Sequence, residues 1–357
     1  MAHRRIRLGI IGTGIAARDL HWPPLHRQSD HFEIVAVCNH TRPKAEAFAQ
    51  LTGQDPRITT DYHDLLAAPD IEAVDIVLPI ALNAPVAIDA LRGGKHVIVE
   101  KPIAGDVVSG EAVVAEAHRR PEQILLVAEN MRYEPRIRRA REVLDAGRIG
   151  RVVMLHADVL SPLDPENPYT QTAWRQQPEH LGGYLSDGGV HQVAVLQMLA
   201  GPVTTVQGLV TSFHSGEDVP DTMLANLRFA TGAVGHLTYA TDVHRREQSP
   251  LRVYHGVASQ RVGHGNVHRQ EQSPVRVYGT EGTLEIHEDR MVLSNGDGDQ
   301  EIPCAGGPTG LDQEFADFYT CVTTGKRPDV APEDALRDLE VIDAAIRSSR
   351  YGEVVEL

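Results

Sequence analysis

A chain of 357 residues, 41% hydrophobic and 23% charged, has the makeup of a soluble globular protein, and at about 150 residues per domain it predicts two domains. Acids outnumber bases 49 to 34, a net charge of -15. That excludes general binding of nucleic acid or of an anionic membrane, because phosphate recognition needs clustered Lys and Arg, and no apolar run reaches the ~20 residues that span a bilayer.

The start, Met1-Ala2-His3-Arg4-Arg5, runs directly into an apolar strand at Ile6–Ile11. It shows no apolar signal-peptide core, so a cytoplasmic location is expected. Further strands are predicted at Glu33–Cys38, Val74–Leu78, His96–Glu100 and Ile124–Ala128. Helical stretches are predicted at Lys44–Leu51, Asp61–Ala68, Pro85–Arg92 and Val107–Arg119. Short β-branched runs alternating with helices predict a parallel sheet with crossover helices. The texture changes after about Asn130. A helix at Pro135–Ala146 is followed by alternating strands at Val152–Leu160, Val203–Thr211, Thr222–Phe229, Ala233–Ala240, Leu251–Val257, Val275–Tyr278 and Thr283–Ile286. Helices at Leu311–Thr323 and Pro332–Ser349 close the chain. The fold class is therefore α/β: residues 1–128 form a dinucleotide-binding domain, and residues 129–357 form an α+β domain with a large, mostly antiparallel open sheet.

The stretch Val243–Tyr254 recurs twenty-four residues later as Val267–Tyr278, with ten of twelve positions identical. Two copies are too few for a solenoid. A tandem duplication that adds a protruding edge hairpin, turning at Gly263–Asn266, is expected. Three cysteines, Cys38, Cys304 and Cys321, lack metal-type spacing and read as reduced thiols. Among 18 histidines, His264 and His268 stand four apart, but Gly265 intervenes without a Cys or acidic partner, so no metal site is expected.

Gly12-Thr13-Gly14-Ile15-Ala16-Ala17 follows the first strand as GxGxxA. The first Gly permits the tight turn, the second lets backbone N–H groups approach a pyrophosphate, and the small last residue lets helix and strand pack closely. The end of the second strand reads Asn39-His40-Thr41-Arg42. NAD enzymes usually place Asp or Glu there for the ribose hydroxyls. Asn39 repels no phosphate, and His40 or Arg42 would meet a 2′-phosphate, so NADP is favoured over NAD. The plainer alternative has Thr41 capping the next helix and Arg42 in solvent. Glu100-Lys101-Pro102 ends the fifth predicted strand. A lone Lys is usually a surface charge, but at that strand end its ammonium is placed to steady the oxygen of a reacting carbinol or carbonyl. In Gly182-Gly183-Tyr184-Leu185-Ser186-Asp187-Gly188-Gly189-Val190-His191, a helix from Asp187 to Leu199 would put Asp187 and His191 on one face. His is the natural acid–base residue near neutral pH. The structural alternative makes Asp187 an N-cap and His191 a core residue.

Taken together, Gly12-Thr13-Gly14, Gly94-Lys95-His96-Val97 before Glu100-Lys101-Pro102, Trp174-Arg175 and the Asp187–His191 run resemble the glucose–fructose oxidoreductase/inositol dehydrogenase/MocA (GFO/IDH/MocA) family over nearly the whole chain. The resemblance implies a Rossmann domain with bound NAD or NADP, and oxidation or reduction at a sugar or cyclitol carbon. It implies catalytic roles for Lys101, Asp187 and His191. It also implies cofactor contacts from Leu78, Pro79, Asn83, Glu100 and Lys101 beside the glycine turn and Asn39, and substrate contacts from Arg132, Tyr133, Trp174 and Arg175. Pairing through the open sheet into a homodimer or homotetramer is implied as well. The sequence departs from the family pattern at Asn39, at Pro79–Asn83 and in the duplicated segment. The expected function is an NAD(P)-dependent dehydrogenase or reductase of a small polyhydroxylated substrate. An NAD-dependent glycosidase and a non-catalytic dinucleotide sensor are the alternatives on the same scaffold.

Overall fold

Apolar strands buried on both faces need helices above and below them, and the first part of the chain supplies both. The computed structural model describes residues 4–160, 166–213, 219–241, 275–304 and 306–357. It begins with β1 (Ile6–Ile11), α1 (Trp22–Arg27), β2 (Phe32–Cys38), α2 (Arg42–Thr52), β3 (Arg57–Thr59), α3 (Tyr62–Leu66), β4 (Ala73–Ile76), α4 (Ile80–Arg92), β5 (His96–Glu100), α5 (Val107–Arg119) and β6 (Leu125–Ala128). The six strands form one parallel sheet in the order β3-β2-β1-β4-β5-β6. This is the doubly wound order, whose ligand crevice lies outside the carboxyl ends where the order reverses beside β1. Asp61 and Asp106 cap α3 and α5, their carboxylates accepting from the His63 and Ser109 backbone N–H groups.

The chain continues through α6 (Pro135–Asp145), β7 (Val152–Leu160), α7 (Ala173–Gln176), α8 (Tyr184–Ala200), β8 (Val203–Thr211), β9 (Thr222–Phe229), β10 (Val234–Ala240), β11 (Val275–Gly279), β12 (Gly282–Ile286), β13 (Arg290–Asn295) and β14 (Gly298–Pro303). It ends with α9 (Gly310–Thr324), α10 (Pro332–Tyr351) and β15 (Val355–Glu356). Among the described residues nine strands make the second sheet, in the order β14-β13-β12-β11-β7-β10-β9-β8-β15. Its neighbours are antiparallel except for the parallel pair β7 and β10. Period-2 alternation gives it one apolar face: Met223, Ala225, Leu227 and Phe229 of β9 are buried in a core with Ile137 of α6, Val193 and Leu196 of α8 and Ile342 of α10. The other face exposes Leu209, Leu224 and Val234. It also carries a cleft of about 500 Å³ lined by residues that include His156, Asn226, Arg228 and His236.

Two compact units result. The described residues of the first fall within Met1–Asn130 and Leu311–Leu336, those of the second within Met131–His255, Ser259–Gly310 and Arg337–Leu357. The expected edge hairpin is corrected in its second arm. Val275–Gly279 is an interior strand, paired with β12 on one side and β7 on the other. Its expected partner, Leu251–Val257, and His264 and His268 lie outside the described residues. No helix among the described residues is long and apolar enough to cross a membrane.

Candidate active site

In the first unit the glycine turn connects β1 to the helical stretch that begins at Ile15 and Ala16. Gly12 has φ +94°, and a Cβ there would collide with the Val77 carbonyl, so only glycine fits between the first strand and the end of β4. Gly14 faces open space within 4 Å of where its Cβ would stand. Thr13 Oγ1 is buried and has no hydrogen-bond partner among the described residues. An open approach at the second glycine beside an orphaned hydroxyl fits a dinucleotide backbone seated on the turn. Leu78 packs at the glycine turn, and Pro79 precedes the first residue of α4.

Asn39 lies at the end of β2, largely buried, its Oδ1 accepting from the Thr41 backbone N–H at 2.9 Å. His40 is exposed, and Arg42 pairs with Glu46 at 3.0 Å on the first turn of α2. Cys38 beside them is pushed up to about 11, first by burial and then by Asp61 and Asp64. The acids near this strand end therefore come from the segment after β3, a placement that reading along β2 cannot reveal.

Glu100 ends β5 and Lys101 follows it, and the Lys101–Pro102 peptide is cis. Asn83 on α4 is fully buried, and its Nδ2 donates to the carbonyls of Glu100 at 2.8 Å and Pro102 at 2.9 Å. One amide thus grips the backbone on both sides of Lys101, while Asn83 Oδ1 is buried without a hydrogen-bond partner among the described residues. Lys95 is structural: it donates to the Ala68 and Ile71 carbonyls.

In the second unit, Gly182 and Gly183 have φ +73° and +48° and turn the chain into α8. A Cβ on Gly183 would press on Val219 at 2.7 Å. Asp187 falls in the first turn of α8, where a carboxylate suits the helix dipole. His191 follows one turn later on the same face, and both are 2% exposed. Arg175 Nε donates to Asp187 Oδ2 at 2.6 Å, and the Arg175 guanidinium lies 3.9 Å over the Trp174 ring. Gly188 leaves room for the Tyr239 hydroxyl, which its Cβ would strike. Burial, with Asp187 adding to it, raises the pKa of Tyr239. Sequence reading missed Tyr239, because nothing in the alternation of β10 distinguishes it from an ordinary core aromatic.

Arg132 and Tyr133 sit in the interior of the second unit. Arg132 Nη2 donates to both Asp338 oxygens at 2.7 and 2.9 Å, and Gln197 joins the same carboxylate at 2.7 Å. Tyr133 is fully buried, with the Arg138 guanidinium 4.7 Å from its ring. Among the described residues no His, Cys, Asp or Glu group is arranged to hold a metal ion.

Comparison with known proteins places these features in context. The model of an oxidoreductase family with an NAD-binding Rossmann fold matches residues 6–128. The model of the GFO/IDH/MocA C-terminal domain matches residues 137–285. An uncharacterized protein of Saccharomyces cerevisiae is 31% identical over 99% of this chain and 98% of its own. The structure of an oxidoreductase from Thermotoga maritima is 35% identical, with a TM-score of 0.85 over 99% of this chain and 98% of that one. The levoglucosan dehydrogenase of Pseudarthrobacter phenanthrenivorans is 27% identical over 72% of this chain and 73% of its own.

Proposed function

The chain belongs to the GFO/IDH/MocA oxidoreductase family, and from that premise we propose that it interconverts a secondary alcohol and a ketone on a sugar, sugar derivative or cyclitol with NADP(H) as the preferred cofactor. Relatives named as sugar dehydrogenases and reductases support the substrate class. The observation that carries the reading is the pair Asp187 and His191, buried one turn apart on α8 with Arg175 fixing the carboxylate. Burying ionisable groups costs free energy that pairing only offsets, and such arrangements cluster at functional sites.

When bound, the nicotinamide accepts or donates the hydride at C4. His191 takes the hydroxyl proton in oxidation and returns it in reduction. Lys101 stabilises the negative charge that develops on the same oxygen. Asp187, held by Arg175, orients His191 or a neighbouring hydroxyl, and Trp174 gives the sugar ring an apolar face. Thr13, Gly14, Ile15 and Ala16 seat the pyrophosphate. Asn39, His40 and Arg42 would meet the adenosine ribose, and residues 39–42 themselves supply no carboxylate to it. Arg132 and Tyr133 support the site from the interior. A cytoplasmic homodimer or homotetramer formed through the open face of the nine-stranded sheet completes the proposal, supported by the exposed Leu209, Leu224 and Val234.

The test is a panel of aldoses, anhydro-sugars and inositols screened by nicotinamide absorbance. His191→Asn should slow turnover by about 10²–10⁴, the usual worth of a general acid–base, and leave dinucleotide affinity unchanged. Turnover close to the parent's would return His191 to a core role.

A further inference from the structure

Behind the glycine turn lies a group of charges that the proposed chemistry leaves unused. The chain widens into a π-type turn over Ala17–His21 before tightening into α1. Such turns are frequent at functional sites. Here the buried side chain is His21. Its Nδ1 lies 3.0 and 2.9 Å from the two Asp75 oxygens, and its Nε2 lies 3.1 Å from Glu100 Oε1. Asp75 is on β4, in the middle of the sheet, with no exposure. Glu100 is the residue before Lys101. The Phe315 ring on α9 packs nearly perpendicular to the imidazole, the two centroids 5.5 Å apart.

Two more carboxyl groups face this cluster, Glu129 after β6 and Glu314 on α9. Glu314 is fully buried, and neither of its oxygens has a hydrogen-bond partner among the described residues. Carboxyl groups brought together in a dry interior oppose one another's ionisation. Burial disfavours the charged imidazole, but Asp75 and Glu100 outweigh it and hold His21 well above its ordinary range. Burial, reinforced by the neighbouring carboxylates, holds Glu314 well above the usual carboxylate range. The ring is then a donor at both nitrogens, and Glu314 is a neutral acid.

We propose that His21 is a positioning residue for Lys101: bonded through both ring nitrogens, it ties the helix behind the dinucleotide turn to the end of β5, so that cofactor seating and the placement of Lys101 depend on one buried side chain. This rests on the reading of Lys101 as a catalytic group. Asn83 holds the backbone around Lys101, and His21, itself anchored to Asp75 on β4, holds the Glu100 side chain that precedes it. A neutral ring could donate to only one of its two carboxylates, so the tie needs the proton that the cluster retains.

The experiment compares the parent with His21→Gln, Lys101→Ala, the double variant and Asp75→Asn, each as the full chain with its melting curve recorded. NADPH and NADH affinities are measured by fluorescence titration, and kcat and KM on the sugar panel with NADP+ and NAD+. His21→Gln should weaken dinucleotide binding by about tenfold. It should lower kcat by about 10², the effect of a misplacement on the order of 1 Å, with KM for the sugar nearly unchanged. In the Lys101→Ala background it should lower kcat no further, since residues acting through one another are non-additive. Parental dinucleotide affinity in His21→Gln overturns the proposal without any substrate. Full additivity with an impaired Lys101→Ala overturns it alone, whereas parental turnover in Lys101→Ala removes the reading of Lys101 and the proposal with it. Asp75→Asn, which keeps a carbonyl acceptor for the ring, should shift the same quantities in the same direction and replaces His21→Gln if that variant does not fold.

Discussion

Asn39 shows what a single residue decides. Its Oδ1 is occupied by the Thr41 N–H at 2.9 Å, which leaves the amide N–H groups as the polar edge at the end of β2. A carboxylate in the same place would accept the ribose hydroxyls and repel a 2′-phosphate. Asn39→Asp should therefore reverse the preference, weakening NADP(H) and strengthening NAD(H), as read by calorimetric titration of both. Tenfold tighter NAD(H) binding to the unchanged protein would contradict the cofactor assignment. Much of this was legible in the sequence, since the glycine turn, Asn39 and the Asp187–His191 spacing are local patterns with local meanings. The partners of Arg132 and His21 were not. Asp338 lies 206 residues from Arg132, and Asp75 and Glu100 lie 54 and 79 from His21, so only the folded chain reveals that these side chains serve each other.

At the scale of elements, long alternating strands and unbroken apolar runs were legible in the sequence, whereas the short β3, the hairpin strand β13 and the polar β14 were not. β7, β8 and β9 carry the period-2 pattern of a sheet with one buried face. β14, Gly-Asp-Gln-Glu-Ile-Pro, is an exposed edge strand and has no apolar face to betray it. α4 begins at Ile80 rather than at Pro85, which stands inside the helix, because a proline near a helix start reads as its first residue. α9 was predicted nearly whole, but not what it buries. Glu314 on α9 carries a consequence for stability. The folded protein holds its proton well above the ordinary range, while the unfolded chain releases it near about 4.3. Between those values the folded state binds the extra proton, so stability falls as pH rises through the window. Glu314→Gln keeps the shape and has no proton to lose. Its melting temperature should exceed the parent's at pH 8, and the gap should narrow toward pH 5. A difference that stays constant between the two pH values would show that Glu314 is not held as a neutral acid.

For the whole molecule, the duplicated segment raises the question of which copy builds the second sheet. Val275–Tyr278 does, as β11, with Val275 and Val277 buried and Arg276 paired to Glu285 at 3.0 Å. The earlier copy, Leu251-Arg252-Val253-Tyr254, lies outside the described residues and carries the same alternation with Leu in place of Val. Deleting His255–Tyr278 joins Tyr254 to Gly279. That glycine must remain, because a Cβ on it would strike the Ile149 carbonyl where β11 meets the start of β7. The earlier copy can then occupy the β11 position in the same register: Leu251 opposite Ile286, Arg252 opposite Glu285, Val253 opposite Leu284 and Tyr254 opposite Thr283, as the later copy now pairs. The one misfit is an added methylene at the buried Val275 position, an overpacking cost of about 1–3 kcal/mol. The shortened protein should therefore fold cooperatively, melt slightly below the parent and bind dinucleotide with parental affinity. Light scattering and the sugar panel then ask whether the twenty-four extra residues serve assembly or substrate choice. Failure of the deletion variant to fold would mean that the two copies are not interchangeable and that the later one alone has adapted to its place between β7 and β12.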